Sequence, residues 1–262
     1  MKTIAIIGCG WLGLPLAEKL IQQDYNVIGT TTSEDKLKSL QSKGIEAHLL
    51  DLDAAEYETS FLDDSDVLFL NIPPGLRNSP SGSFLKKLEP FIKKIKGSNI
   101  KKVVYVNSTA VYPSSGIYDE TSSFIPDSEK GKELLESEQL ISTNFESTSV
   151  LRLGGLFGPN RHPSRFVRSA KQLENNSTAN LIHLTDVVNL SFAVLTREDA
   201  PKLINGVHSH HPDKYSFYKK AIESEGKVFP YPPPIDFTER IIKMTSTVSS
   251  FQFNKESLYC YL

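Results

Sequence analysis

The chain has 262 residues, with 29 Lys+Arg against 31 Asp+Glu and a formal net charge of -2. This balance excludes the basic excess that phosphate-backbone binding needs, so nucleic acid is not an expected partner, and the length suits one α/β unit with a continuous core and a small appendage. Cys9 and Cys260 stand near opposite ends, which excludes a disulfide framework and gives no metal-ligand spacing.

In chain order, the opening "MKTIAIIGCG" has an apolar run cut by glycine too early for a signal peptide or a membrane span, and a cytoplasmic protein is expected. Short β-branched runs then alternate with amphipathic stretches: "TIAIIG", "LPLAEKLIQQ", "NVIGTT", "EDKLKSLQSKG", "EAHLL". Further strands are predicted at "DVLFLNI", "KKVVYVNS" and "STSVLRLGG", with a helix "SFLKKLEPFIKKIKG" between the first two. These are repeated βα units, and the lack of strict in-out alternation fits a parallel sheet covered on both faces. The expected class is α/β, a Rossmann-type doubly wound parallel sheet with a small C-terminal substrate-side lobe. Residues 1–158 form the expected core, with later returns to the sheet, and 159–262 the smaller lobe, which is not expected to fold alone. Helical periodicity persists in "TDVVNLSFAVLTRE" and "KYSFYKKAIESEG", while "FPYPPPIDF" reads as a surface loop.

Gly8, Gly10 and Gly13 follow the first strand directly and open a helix, enclosing Trp11 and Leu12. In this strand-turn-helix context G-x-G-x-x-G marks a dinucleotide site: Gly8 for the tight turn, Gly10 for close approach of a pyrophosphate, Gly13 for helix–strand packing. The helix N-terminus favours the anion. At the end of the second strand, Thr31 stands where an Asp or Glu would bind the ribose of NAD. Thr30, Thr32 and Ser33 could donate to a 2′-phosphate, with Lys36 as counter-charge, so the cofactor is NADP or NAD with NADP preferred. Ser33 could equally cap the helix that starts near Glu34.

"IIGCGWLG", "DLD" at Asp51, "VVYVNSTAVY", P-x-S-x-x-G at Pro126, "LRLGGLFGP" and "LIHLTDVV" follow one another as in the extended short-chain dehydrogenase/reductases, the NAD-dependent epimerase/dehydratase superfamily. "IGTTTS" and "NIPPG" resemble the atypical YeeZ-like branch. The resemblance covers nearly the whole chain. It implies that Asp51 and Leu52 flank the adenine and that Asn71, Ile72, Pro73 and Pro74 line the path of the phosphates and the nicotinamide-side ribose. Ser108 matches the serine that holds a substrate oxygen, or it satisfies backbone at a strand end. Arg152 and Arg161 match substrate-side positions, and Arg161 could clamp a phosphate or carboxylate, or either could instead be a surface ion-pair partner. Many relatives pair, so a homodimer is implied.

The family's catalytic pair is missing. Aligning Pro126, Ser128 and Gly131 with the family pattern puts Lys130 at the tyrosine position and Leu134 at the lysine position. A tyrosine with a pKa of about 10 needs a nearby cation to work as acid or base, and leucine supplies none. Lys130, Tyr112 and Tyr118 are the candidates for a displaced proton-transfer group. Tyr215 and Lys219 share helical spacing but follow "LIHLTD", on the wrong helix. His183 and Asp186 read as loop-fixing and capping residues, and His208, His210 and His211 lack the partners that a metal requires, so none is assigned. The expected function is NAD(P)-dependent oxidoreductase or epimerase-like activity on an unknown small substrate. The alternative is a non-catalytic cofactor-binding sensor or scaffold.

Overall fold

In a computed structural model, which describes residues 2–75, 80, 82–173 and 175–262, the chain builds one seven-stranded sheet. Its strands are β1 (Thr3–Ile7), β2 (Asn26–Thr31), β3 (Glu46–Leu49), β4 (Val67–Leu70) and β5 (Lys102–Ser108), and later β7 (Thr148–Leu153) and β11 (Leu203–Gly206). The order β11-β7-β5-β4-β1-β2-β3 is parallel throughout. The winding reverses between β1 and β4, and a crevice opens there at the carboxyl ends of the strands.

Period-two alternation divides each central strand between two cores. Ile4 and Ile6 of β1 join Leu16, Leu20 and Val194, from α1 (Gly13–Ile21) and α5 (Leu184–Thr196). Ala5 and Ile7 face the opposite core, with Phe84, Leu88, Phe91 and Ile95 of α3 (Ser83–Ile95) and Ile141 of α4 (Glu129–Asn144). On α3 the spacing 84, 88, 91, 95 is one helical stripe, which is why this segment folds as a helix laid flat on the sheet. α2 (Glu34–Gln41) buries Leu40 beside β2 and β3.

Three two-stranded parallel ladders stand beyond the sheet. β6 (Gly116–Tyr118) pairs with β13 (Arg240–Ile242), β8 (Gly155–Phe157) with β10 (Leu181–His183), and β9 (Asn175–Ser177) with β12 (Asp236–Thr238). With α6 (Lys214–Ser224) they form the far wall of the crevice. Asp236 and Phe237 of the proline-rich segment enter β12, whereas 229–235 lie outside any strand. Among the described residues, no helix is long and apolar enough to cross a membrane.

Candidate functional site

The glycine turn is held from three strands. Gly8 N–H donates to Thr30 Oγ1 at 3.0 Å, Cys9 N–H to the Thr30 carbonyl at 2.8 Å, and the Asn71 side-chain amide to the Gly8 carbonyl at 3.1 Å. A Cβ on Gly8, whose φ is +99°, would lie 2.4 Å from the Asn71 carbonyl oxygen, and one on Gly13 would lie 2.2 Å from that of Gly8. Gly10 differs, because a Cβ there would meet nothing within 4 Å. Gly8 and Gly13 are thus required by the protein's own packing. Gly10 leaves an open cradle, and Leu12, the N-cap residue of α1, makes no side-chain cap over the helix's first N–H groups.

Two connected cavities share this turn. The smaller, about 300 Å³, is lined by Thr30, Thr31, Thr32, Lys36, Asp51 and Leu52. Thr31 Oγ1 accepts from Ser33 N–H at 3.2 Å, and Ser33 precedes α2 without making a side-chain cap. Thr30 needs correction as a phosphate donor: it is 2% exposed and its oxygen serves the Gly8 N–H, so it acts by shaping the turn. Lys87 also lines this cavity, 3.3 Å from Asp53, and sequence reading missed it because α3 reaches the site only through the tertiary fold.

The larger cavity, about 1210 Å³, runs past Trp11, Leu12, Asn71, Ile72, Pro73 and Pro74 to Ser108, Lys130 and Arg161. Ser108 Oγ accepts from Ala110 N–H at 3.1 Å, which leaves its own proton available to the cleft. Trp11 Nε1 donates to the Pro159 carbonyl at 2.8 Å, and the Arg161 guanidinium stacks 5.4 Å from the indole. These contacts link the glycine turn to the loop after β8.

The P-x-S-x-x-G segment has a local explanation. Ser128 Oγ caps α4 by accepting from Gly131 N–H at 3.1 Å, and a Cβ on Gly131 would press on the Ala110 carbonyl, Pro126 and Ser128, each at 3.1 Å. Lys130 is exposed at the cavity rim. Leu134 is buried among Val111, Tyr112, Val207 and Ile242 and does not line the cavity.

Tyr112 also requires correction. Its ring is 2% exposed in that same apolar cluster, with the hydroxyl 3.0 Å from Asn205 Oδ1 and 3.1 Å from the Asp119 carbonyl while accepting from Arg152. Burial raises its pKa, and the phenol is absent from the cavity wall. Tyr118 stacks on Tyr112 and donates to the Ser115 carbonyl. Arg152 does not face substrate: it is 5% exposed and grips Glu138 through Nε at 2.9 Å and Nη2 at 2.6 Å. Nothing in the strand's sequence tells a buried, paired arginine from one aimed at a ligand.

Elsewhere, Tyr215 bonds the Tyr231 carbonyl and Lys219 pairs with Glu223, so neither turns to the cleft. His183 caps α5 by accepting from Thr185 N–H, and Asp186 accepts from Asn254 N–H and Tyr261. His208 and His210 bond the Lys255 carbonyl and Ser257, and among the described residues no group of three His, Cys, Asp or Glu side chains could hold a metal. Cys9 is buried, which pushes its thiol up to about 12, and Cys260 is exposed. Lys214, Tyr218 and Arg240 line the large cavity and were not singled out from sequence.

This cleft can be set beside known proteins. Residues 3–79 match the family model described as NADP oxidoreductase coenzyme F420-dependent. Protein YeeZ of Escherichia coli (strain K12) is 32% identical over 226 residues, 83% of this chain and 82% of that protein. The chain belongs to the YeeZ family. Solved structures share the fold. One is the UDP-glucuronic acid 4-epimerase from Bacillus cereus in complex with UDP-glucuronic acid and NAD, with a TM-score of 0.73, 19% identity, and 99% of this chain and 98% of that one covered. A conserved protein of unknown function from Silicibacter pomeroyi has a TM-score of 0.70 at 22% identity, covering 93% of this chain and 90% of that one. Within this YeeZ-like chain, the glycine turn, Ser108 and Lys130 line one large cavity, and Leu134 is buried away from it.

Proposed function

We propose that the protein binds NAD(P), with NADP favoured, and carries out oxidoreductase or epimerase-like chemistry on a small substrate held between Ser108 and the far wall. The observation that carries this reading is Gly10, which is free of any neighbour that a Cβ would strike yet sits between the two cavities. Its missing side chain is accounted for by a ligand's close approach.

In this reading Gly8, Gly10 and the start of α1 seat the pyrophosphate, with Trp11, Leu12 and Gly13 completing the turn. Thr31, Thr32 and Lys36 surround the adenosine ribose, Asp51 and Leu52 the adenine, and Asn71, Ile72, Pro73 and Pro74 the nicotinamide half. The nicotinamide supplies hydride chemistry when bound. Thr31 in the place of an acid at the end of β2 is what favours the 2′-phosphate. Ser108 orients the substrate's oxygen by donating its free proton, and Arg161 holds an anionic group.

Fluorescence titration with NADPH and NADH, using Trp11 as reporter, tests the reading. Saturable binding with NADPH tighter is the expected result. Gly10→Ala should keep its thermal transition and lose binding. Equal binding by Gly10→Ala, or none by the parent, refutes the proposal. Cofactor binding without turnover on any aldehyde, ketone or sugar nucleotide would favour a sensor role.

A further inference from the structure

The large cavity is lined by four cationic side chains, Lys130, Arg161, Lys214 and Arg240, and among its described lining residues there is no Asp or Glu. Arg240 is a fixed charge on the wall. Its Nε donates to the Pro113 carbonyl at 2.7 Å and its Nη2 to the Thr109 carbonyl at 2.7 Å, and the carboxylate whose charge acts on it, Asp127, does not line the cavity.

Lys214 is the unusual member. It is the first residue of α6, half-buried, and its amine makes no hydrogen bond or ion pair among the described residues. Burial, with the charge of Arg240, lowers its pKa from the ordinary lysine value. The adjacent Asp213 is occupied elsewhere: Oδ1 accepts from Ser216 N–H at 2.8 Å and lies 3.3 Å from Asn176 Nδ2. One helical turn on, Tyr218 lines the same cavity, and its hydroxyl makes no hydrogen bond among the described residues. Burial pushes that phenol up to about 12, so it stays a neutral donor. A desolvated lysine beside a second cation is a standard means of activating an amine nucleophile.

We propose that Lys214 is a carbonyl-reactive amine that captures small anionic aldehydes or ketones in this cavity, with Arg240 attracting the anionic group and Tyr218 donating to the carbonyl oxygen. The Lys214 Nζ lone pair forms the new N–C bond as the carbonyl π bond opens. The oxygen then leaves as water, taking two hydrogens from the amine, and a C=N bond to Nζ remains, with no net oxidation. The capture shares the cavity with the proposed oxidoreductase site but needs no dinucleotide.

The test uses the full chain incubated with glyoxylate, reduced with borohydride and mapped by peptide mass spectrometry. The expected result is a carboxymethyl adduct on Lys214 at about tenfold the mean occupancy of the other lysines, the ratio that about 1.4 kcal/mol of site preference gives. Inorganic phosphate should suppress it, and uncharged acetaldehyde should lose the selectivity. Lys214→Arg should remove the adduct while keeping the thermal transition. An adduct spread evenly over the surface lysines, or none on Lys214, overturns the proposal. NADPH titration of Lys214→Arg reports separately on the dinucleotide reading, so either can fail without the other.

Discussion

Truncating Glu138 to alanine should destabilise the protein severely, and the reason lies beneath the cavity wall. The Glu138 carboxylate takes both Arg152 bonds and a third from Asn107 Nδ2 at 2.6 Å, with the side chains of Arg152 and Glu138 only 6% and 8% exposed. After truncation the guanidinium keeps the Tyr112 hydroxyl at 2.9 Å and its stacking on the Tyr112 and Phe124 rings, but no counter-charge. An uncompensated buried charge costs about 3–5 kcal/mol, a large part of the roughly 5–15 kcal/mol that holds a domain folded. Mutual attraction does not set this figure, because desolvating both ions offsets most of it. The double variant Glu138→Leu with Arg152→Met should therefore stay within about 1 kcal/mol of the parent or exceed it. Equilibrium urea unfolding followed by circular dichroism measures both variants. A single variant losing less than about 1 kcal/mol, or a double variant as weak as the single, would refute the reasoning.

Gly13→Ala drives a methyl into the Gly8 carbonyl and should cost about 1–3 kcal/mol in thermal or urea unfolding, in contrast with the tolerated Gly10→Ala. Thr31→Asp places a carboxylate beside the proposed 2′-phosphate and should weaken NADPH at least about tenfold relative to NADH in parallel titrations. His211 gives a pH signature. Burial first, then the nearby His208, His210 and Lys243, lowers its pKa from 6.5 to about 4. The unfolded chain therefore binds the proton first, and stability should fall as pH drops from 6.5 towards 4, by at most about 1.4 kcal/mol per pH unit from this group. His211→Asn should flatten that part of the profile in denaturant midpoints measured against pH.

The strands and helices around the glycine turn were legible because their signals are local. "TIAII" and "VLFL" are apolar on both faces, and the spacing of Gly8, Gly10 and Gly13 is tied to the strand before it. The far wall was not legible. The sequence offers Tyr215 and Lys219 as a helical pair, but α6 turns Lys214 and Tyr218 into the cavity instead, because Phe217, Ala221 and Ile222 are the residues that it buries. One residue of rotation decides between the pairs, and packing against the rest of the fold sets it. Arg240 reaches Pro113 and Thr109 across more than a hundred residues of chain, a closure that no short motif announces. Tyr112 was a candidate for a displaced proton-transfer group and Arg152 matched a substrate-side position, and only the tertiary fold reveals their buried contacts with Asn205 and Glu138.

The bracing of Gly8 between Thr30 and Asn71 bears on affinity as well as on shape. Fixing one residue's backbone costs about 1–2 kcal/mol of conformational entropy. In this turn that loss falls on folding, so the proposed pyrophosphate would meet a seat already ordered, and its binding energy would not be offset by ordering the loop. Thr30→Val would remove the Oγ1 acceptor of the Gly8 N–H and let the turn fluctuate. Binding should weaken although no group that touches the ligand has changed, and the loss should appear as a less favourable entropy in calorimetry.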